Sequence, residues 1–455
     1  MSMVTQPKSV SAELQDAAAP YVEAFETMAG VSGGDPAWLQ ARRGAAIARF
    51  AEAGFPAARQ EEWRFTDLKT LARTPFTLAA PASEAVSSVD EFVLGSERQW
   101  VVTFVNGSYV PELSRLDGLP SSVVVGSLRE AVVKHSALVE PHLAKYALDE
   151  YNPLAALNTG FIRDGAFLHL PRNTVLERQV HFLFLSVPAN GTSAPVTHPR
   201  NLFVLEPGAQ ASLVESYAGA GTTGRYWTNP VTEAVVGDNA TLDAYRFQRE
   251  HTDAYHTGTT YSTQGRDSKF SLIVFTFGAG LSRHDIRAVL DGEGADATLD
   301  GLSMLRGRQH TDYHTTLEHA QPNCTSWEYF NGVFDDHARG VFNGRIIVRP
   351  GAQKTDSKQT NNNLLLSASA RADSQPQLEI YADDVKCTHG ATLGPIDDEH
   401  LFYLQSRGLT KEAARDMLTY GFGSEILNAV KSEQVREDLD RIIHDWLKQV
   451  SPMGA

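Results

Sequence analysis

The sequence predicts a mainly β protein: a parallel β-helix set between N-terminal and C-terminal helical regions. Three observations carry this expectation. A long middle zone consists of short strand-like runs, a corner motif returns within it every 28 or 29 residues, and helical periodicity is confined to the two ends. Size and composition permit such a fold. The chain has 455 residues, 42% hydrophobic and 21% charged, enough for a substantial core. This balance excludes intrinsic disorder, collagen-like repeats and a small disulfide scaffold.

The N-terminal region, 1–94, reads as helix at first. Ala12–Met28 is rich in Ala and Glu with few breakers. A turn over Val31-Ser32-Gly33-Gly34 separates it from a second helix, with Asp35 as candidate N-cap and Pro36 at the first helical position. Gly54-Phe55-Pro56 is its stop signal. The segment Arg59–Leu68 is dense in charge and aromatics, and its simplest reading is a surface helix end anchored by Trp63.

The core, 95–395, is strand-like. Runs such as Val101–Val105, His181–Leu185, Leu202–Leu205 and Ser271–Phe275 are bounded by Gly, Asn or Asp. Gly208-Ala-Gln-Ala211-Ser-Leu213 returns as Gly237-Asp-Asn-Ala240-Thr-Leu242, Gly265-Arg-Asp-Ser268-Lys-Phe270 and Gly294-Ala-Asp-Ala297-Thr-Leu299, in steps of 29, 28 and 29 residues. Gly supplies the special backbone angles of a corner, a small residue fits inside it, and Leu or Phe opens the next buried strand. A near-constant step in an all-strand region indicates a solenoid. A β-sandwich imitates part of this pattern but calls for hairpin turns every 8–12 residues. Solenoid ends carry unpaired strand edges that something must cover.

The C-terminal region, 396–455, returns to helix. Thr410 can cap Lys411–Tyr420, ending at Gly421, and Ser424 can cap the next helix. A last helix near Glu433–Val450 places Val435, Leu439, Ile442, Ile443, Trp446 and Leu447 on one stripe, which reads first as core packing.

Charge and cysteine usage narrow the function. Forty Lys and Arg against 55 Asp and Glu give a net charge of −15, so nucleic-acid phosphates are not expected partners. Two cysteines, Cys324 and Cys387, suit a reducing cytosol. No apolar run approaches the ~20 residues of a membrane span, and the start lacks a signal-peptide pattern. A soluble, cytoplasmic protein without membrane partners is the expectation.

Several motif matches fail on context. Gly30-Val-Ser32-Gly-Gly34 fits G-x-S-x-G but lies between helices rather than after a strand. Gly292-Glu-Gly294-Ala-Asp-Ala297 fits a dinucleotide fingerprint, yet no helix follows. No P-loop and no H-E-x-x-H occur. His310, Asp312 and His314 alternate, so on a strand they share one face that can hold a metal or simply be a polar outer surface. His319 and Cys324 follow closely.

The most informative stretch is Asp383-Asp384-Val-Lys386-Cys387-Thr388-His389-Gly390. In an extended backbone Cys387 and His389 point the same way, about 7 Å apart. Thiolate with imidazole suits zinc, iron, copper or an iron–sulfur cluster, and Lys386 and His389 can lower the thiol pKa. Two ligands leave a four-coordinate site incomplete. Either other residues converge there, a second polypeptide supplies the rest, or the cysteine is structural.

These residues belong to a longer pattern. Gly344-Arg-Ile-Ile-Val348, Thr355-Asp-Ser-Lys-Gln359-Thr-Asn361-Asn-Asn-Leu-Leu-Leu-Ser367, Pro376-Gln-Leu-Glu-Ile380, Asp383–Gly394 and Leu401-Phe-Tyr-Leu-Gln-Ser-Arg407-Gly408 together resemble the SufB/SufD family of iron–sulfur cluster assembly proteins. The block spans about 340–425, and weaker similarity reaches back through Gly340-Val-Phe-Asn-Gly344. Phe55–Asp67 resembles the SufD N-terminal signature. The chain is also shorter than a usual SufB and has no Cys-x-x-Cys near its start, so SufD is the nearer paralogue and SufB the alternative.

The resemblance implies a right-handed β-helix, pairing with SufB through the ends of the two solenoids, and docking of the ATPase SufC on the C-terminal helices. It places His389 at the site where a nascent cluster forms, beside a SufB cysteine, and Cys387 at the position of SufB's essential cysteine. It marks Arg407, Gly408, Tyr420, Gly421 and Phe422 as the SufC-docking segment, and it assigns Cys324 no role. The expected protein is a non-catalytic scaffold subunit whose ATPase activity resides on SufC. It holds no tight cofactor, only transient iron or cluster at the interface, and can pair with itself when alone. A polysaccharide-active β-helix enzyme is the contrasting class, but no carboxylate array repeats in step with the coils.

Overall fold

A computed structural model describes residues 12–31, 35–95, 99–147, 152–188, 194–221 and 223–448. Of the turn expected over Val31–Gly34, Val31 is instead the last residue of a helix, and 32–34, with Ser32 of the G-x-S-x-G match, lie outside the described residues.

The middle of the chain is a parallel β-solenoid of about seven turns. Successive coils each give one strand to each of two sheets, so strands pair with every second neighbour. One sheet ends in Arg371–Ile380 and the other in Lys386–Gly394, the last two strands. Inward side chains such as Phe203, Leu213, Leu242, Phe270, Leu299, Phe330 and Phe342 form one continuous core. Alternation along each strand sends the intervening residues outward.

The repeat seen in the sequence is real, but its register is shifted. Ala211 pairs with Leu242, Leu242 with Phe270 and Phe270 with Ala297, so the paired steps are 31, 28 and 27 residues rather than 29, 28 and 29. The two altered steps differ by two residues, which preserves facing; a slip of one would turn every side chain inside out. Corners absorb the difference, so corner motifs mark the coils without fixing their register.

The two solenoid ends differ. At the N-terminal end Ser108–Tyr109 pairs antiparallel with Trp100–Val105, and Val124–Ser127 pairs antiparallel with Ala166–Leu170. At the C-terminal end Arg371–Ile380 and Lys386–Gly394 each pair on one side only. No residue of either strand is fully buried, and Ile380, Tyr381 and Leu393 are exposed.

Helices pack on the outside, with boundaries that correct several expectations. Ala12–Asp16 and Ala19–Val31 are separate helices, because Pro20 has no N–H for the carbonyl four residues back. The next helix is Ala37–Ala53 with Pro36, not Asp35, in the capping position. The Asp35 carboxylate instead pairs with the buried Arg43 guanidinium. Gly54 ends this helix at φ +65°, and a Cβ there would sit 2.8 Å from Gln15 Cα.

In the C-terminal region Thr410 caps its helix through the Ala413 N–H at 3.2 Å. That helix is Lys411–Ser424, running through Gly421; packing of Phe422 on the solenoid favours continuing it. Ser424 caps nothing: it is itself in helical conformation, ahead of a 3₁₀ turn at Glu425–Ala429. The last helix, Glu433–Lys448, buries Val435, Leu439, Ile443, Trp446 and Leu447 against Tyr245, Phe247, Ile273, Phe275 and Met304 on the solenoid's outer wall. Its stripe is core packing.

Arg59–Leu68 is more than a surface helix end. A 3₁₀ turn, Glu61–Trp63, lays Trp63 fully buried over Arg283, whose guanidinium carbon lies 3.7 Å from the ring centroid. Arg283 donates to the Glu62 carbonyl at 2.7 Å and to Asp312 at 2.8 Å. The N-terminal segment is thereby clamped across coils far along the solenoid. Among the described residues no helix is long and apolar enough to cross a membrane.

Candidate functional site at the terminal coil

Lys386–Gly394 is the last strand of its sheet, and its register with Asp356–Leu365 sets Cys387 beside Ser357 and His389 beside Gln359. In the inner strand Ser357, Gln359, Asn361 and Asn363 are buried, with less buried residues between them. Cys387 and His389 therefore lie on the column that faces the coil interior, but with no further coil above. Cys387 is half-buried against the core edge, and His389 is exposed. Two soft ligands sit two residues apart on an open solenoid end. Among the described residues no group of three or more His, Cys, Asp or Glu is arranged to hold a metal.

The thiol is not activated within this chain. Burial, then the Asp356 carboxylate, push Cys387 up from its ordinary value, opposite to the expectation from Lys386 and His389. Cys324 lies fully inside a corner, its Sγ donating to the Gly292 carbonyl at 3.3 Å, and burial raises it as well.

Beneath the pair the core turns polar, which the sequence reading missed. His319 Nε2 lies 2.9 Å from Ser326 Oγ, which lies 2.7 Å from Ser357 Oγ, the register partner of Cys387. Gln359, the partner of His389, donates through Nε2 to the fully buried Glu328. Burial raises Glu328 to about 7. The available signal was the alternation Ser357, Gln359, Asn361, Asn363, a strand whose four inward positions all carry hydroxyls or amides.

Other candidate residues separate into two groups. Arg407 and Gly408 are exposed at the elbow between the helices Asp398–Ser406 and Lys411–Ser424. Asp398–Ser406 has no buried residue and exposes Phe402 and Tyr403. Tyr420 and Phe422 instead tie the helices down: Tyr420 donates to Asp440 at 2.6 Å, and Phe422 packs on the solenoid, with Gly421 exposed between them. His310, Asp312 and His314 share the outer face, as their alternation requires. The N-terminal clamp occupies them: Thr66 reaches His310 at 2.9 Å and also Asp312, while His314 pairs with Asp312 at 3.1 Å. This cluster is a packed polar face, not a metal centre.

The chain matches the family model described as SUF system FeS cluster assembly, SufBD core domain, over residues 187–422, and that of the SufBD protein N-terminal region over 16–182. It belongs to the SufBD family. An iron–sulfur cluster assembly SufBD family protein of Synechocystis is 34% identical, with 90% of this chain and 91% of the relative covered. The iron–sulfur cluster assembly protein SufD of Escherichia coli is 31% identical over 85% of this chain and 88% of its own. SufD of Bacillus subtilis is 28% identical over 91% and 95%. This SufBD protein is therefore an iron–sulfur cluster assembly protein with SufD homologues, and the match spans both the helical N-terminal region and the solenoid.

Proposed function

We propose that this chain is the SufD-type subunit of an iron–sulfur assembly scaffold. It pairs through its terminal coil with a SufB-type chain, and iron and sulfide assemble where His389 meets ligands of that partner. The observation that carries this reading is the incomplete soft-ligand pair, Cys387 and His389, on a strand with an unpaired edge. A partner strand added there would cover Ile380, Tyr381 and Leu393 and bring further ligands within reach. It would also change the surroundings that now hold the Cys387 thiol protonated.

Docking of a SufC-type ATPase falls to the C-terminal helices. Support comes from the exposed Phe402 and Tyr403 beside Arg407 and Gly408, on a helix with no buried face of its own. Tyr420 and Phe422 transmit to the solenoid any force applied at that elbow. ATP binding on two docked partners would then shift the SufB–SufD seam and open it to iron and sulfide. The chain itself carries no P-loop, in keeping with a borrowed ATPase.

The test is co-purification with SufB and SufC, followed by iron and sulfide analysis of wild type and His389→Ala. The expected result is an intact complex that has lost its cluster. Normal cluster yield from His389→Ala overturns the reading.

A further inference from the structure

The helices Lys411–Ser424 and Glu433–Lys448 are joined by a strap, residues 425–432, made of the 3₁₀ turn Glu425–Ala429 and the short link after it. The strap packs on the outer wall of the solenoid along strand Asp296–Leu305. There Ile426, Leu427 and Val430 are buried in one cluster with Tyr245, Ile273 and Leu302. Parallel register lines up the wall beneath it, so that Val214, Tyr245, Ile273, Asp300 and Tyr329 stand side by side on successive strands. Four of these belong to the apolar cluster or pack against it, and the other is a carboxylic acid.

Alternation settles which way Asp300 points. Ala297 and Leu299 lie in the interior core and Leu302 and Met304 in the wall cluster, so Asp300 faces outward with the second pair. It is nevertheless buried. The strap covers it, because the strap is tied to the row on both sides of it. The Lys431 N–H donates to the Tyr245 hydroxyl at 3.0 Å, two strands before Asp300. Glu425 lies by the Tyr329 hydroxyl, one strand after it, and burial followed by that carboxylate raises the phenol. Asp300 therefore sits under the middle of the strap.

Nothing around it compensates a negative charge. Its Oδ1 has no hydrogen-bond partner among the described residues. Its outward neighbours on the adjoining strands, Ser271, Ile273, Phe275, Trp327, Tyr329 and Asn331, carry no charge. Glu425 on the strap and Glu328 on the interior face of the next strand are like charges. Lys431, the one cation of the strap, gives its ammonium to Asp243 at 2.5 Å, and on the flanking helices Arg415 pairs with Asp335 and Asp440 accepts from Tyr420.

We infer that Asp300 is a pH-sensitive latch: while neutral it lets the strap lie on the wall, and once ionised it drives the strap off. Burial, opposed in part by the Tyr329 N–H and reinforced by Glu328, raises Asp300 to about 7. A raised value in the closed state means that closure is strongest in acid and weakens as pH rises through about 7. The strap links the helix beside the exposed Arg407-Gly408 elbow to the helix packed on the wall, so its state sets how firmly that elbow is tied to the solenoid. The latch belongs to this chain alone and stands whatever partner docks on the helices.

The experiment is hydrogen exchange of the full chain from pH 5 to pH 8, corrected for the pH dependence of intrinsic exchange. Protection of the strap amides should fall by at least about tenfold over that range, while strand Val231–Val236, remote from the strap, keeps its protection. Asp300→Asn should reduce the fall to about twofold or less, and Asp300→Leu provides a second neutral side chain should the amide fold poorly. Glu328→Gln should leave the fall in place, which separates the latch from the other buried carboxyl. Unchanged strap protection in wild type overturns the inference, as does a fall shared equally by Val231–Val236. So does a fall that persists in both neutral variants or disappears in Glu328→Gln.

Discussion

At the scale of single residues, the chemistry of the terminal coil depends on which side chains alternation sends inward. Strand parity alone placed Cys387 and His389 on one face, and the structure agrees. The protonation of the thiol was not legible, because it depends on Asp356 and on burial contributed by the preceding coil. With only two thiols in the chain, the consequence is simple to measure. In the native protein near pH 7, Cys387 should react slowly with iodoacetamide and faster as pH rises, while Cys324 should react only after unfolding. Simultaneous labelling of both in the native state would contradict the burial of Cys324.

Two buried carboxyls make a second prediction at this scale. Burial raises Glu328 from 4.5 and Asp300 from 3.8, each to about 7. Both are protonated more readily in the folded than in the unfolded chain. Their contribution to stability is therefore fully present below about pH 4 and is lost as pH rises through about 7. Glu328→Gln keeps an acceptor for Gln359 and removes one of the two titrations. The variant should be more stable than wild type at pH 8, by at most about 3 kcal/mol at ~1.4 kcal/mol per pKa unit, and the difference should vanish near pH 4. Chemical denaturation across pH checks both the sign and the window.

At the scale of elements, what the sequence shows depends on how local the cause is. The Thr410 cap is a contact within one turn and was legible; Thr410→Ala should cost about 1 kcal/mol, read as a lowered denaturation midpoint. The caps assigned to Asp35 and Ser424 failed for non-local or competing reasons: Arg43 takes the first carboxylate, and helix already runs through the second residue. The repeat exposed the coils but not their register, because corner length varies while facing is conserved.

The clamp is the extreme case. Trp63 and Thr66 meet Arg283, His310 and Asp312 across more than 200 positions of sequence, and no local pattern foretells that meeting. Trp63→Ala should cost about 3–5 kcal/mol by the usual scale for large buried aromatics and leave the Arg283–Asp312 face open to solvent. Equilibrium unfolding gives the magnitude, and hydrogen exchange along Leu281–Leu290 and His310–His319 locates it.

At the scale of the whole molecule, the isolated chain exposes an apolar strand edge around Ile380, Tyr381 and Leu393. Alone, it is expected to associate through that edge in a concentration-dependent way, and Leu393→Lys should shift it towards the single chain without lowering its melting temperature. Size exclusion with light scattering over a dilution series decides this. A species insensitive to both dilution and the Leu393 change would place the contact elsewhere.

The asymmetry of the two solenoid tips sets a limit on growth. Strand Ser108–Tyr109 runs antiparallel across one sheet at the N-terminal tip, and Val124–Ser127 does the same across the other. Both are edge strands as well, but of 2 and 4 residues against 10 and 9 at the C-terminal tip, and so short an edge gives a neighbour little to pair with. Association through the C-terminal edge is therefore expected to stop at two rods, and a light-scattering mass beyond twice that of the chain would contradict this.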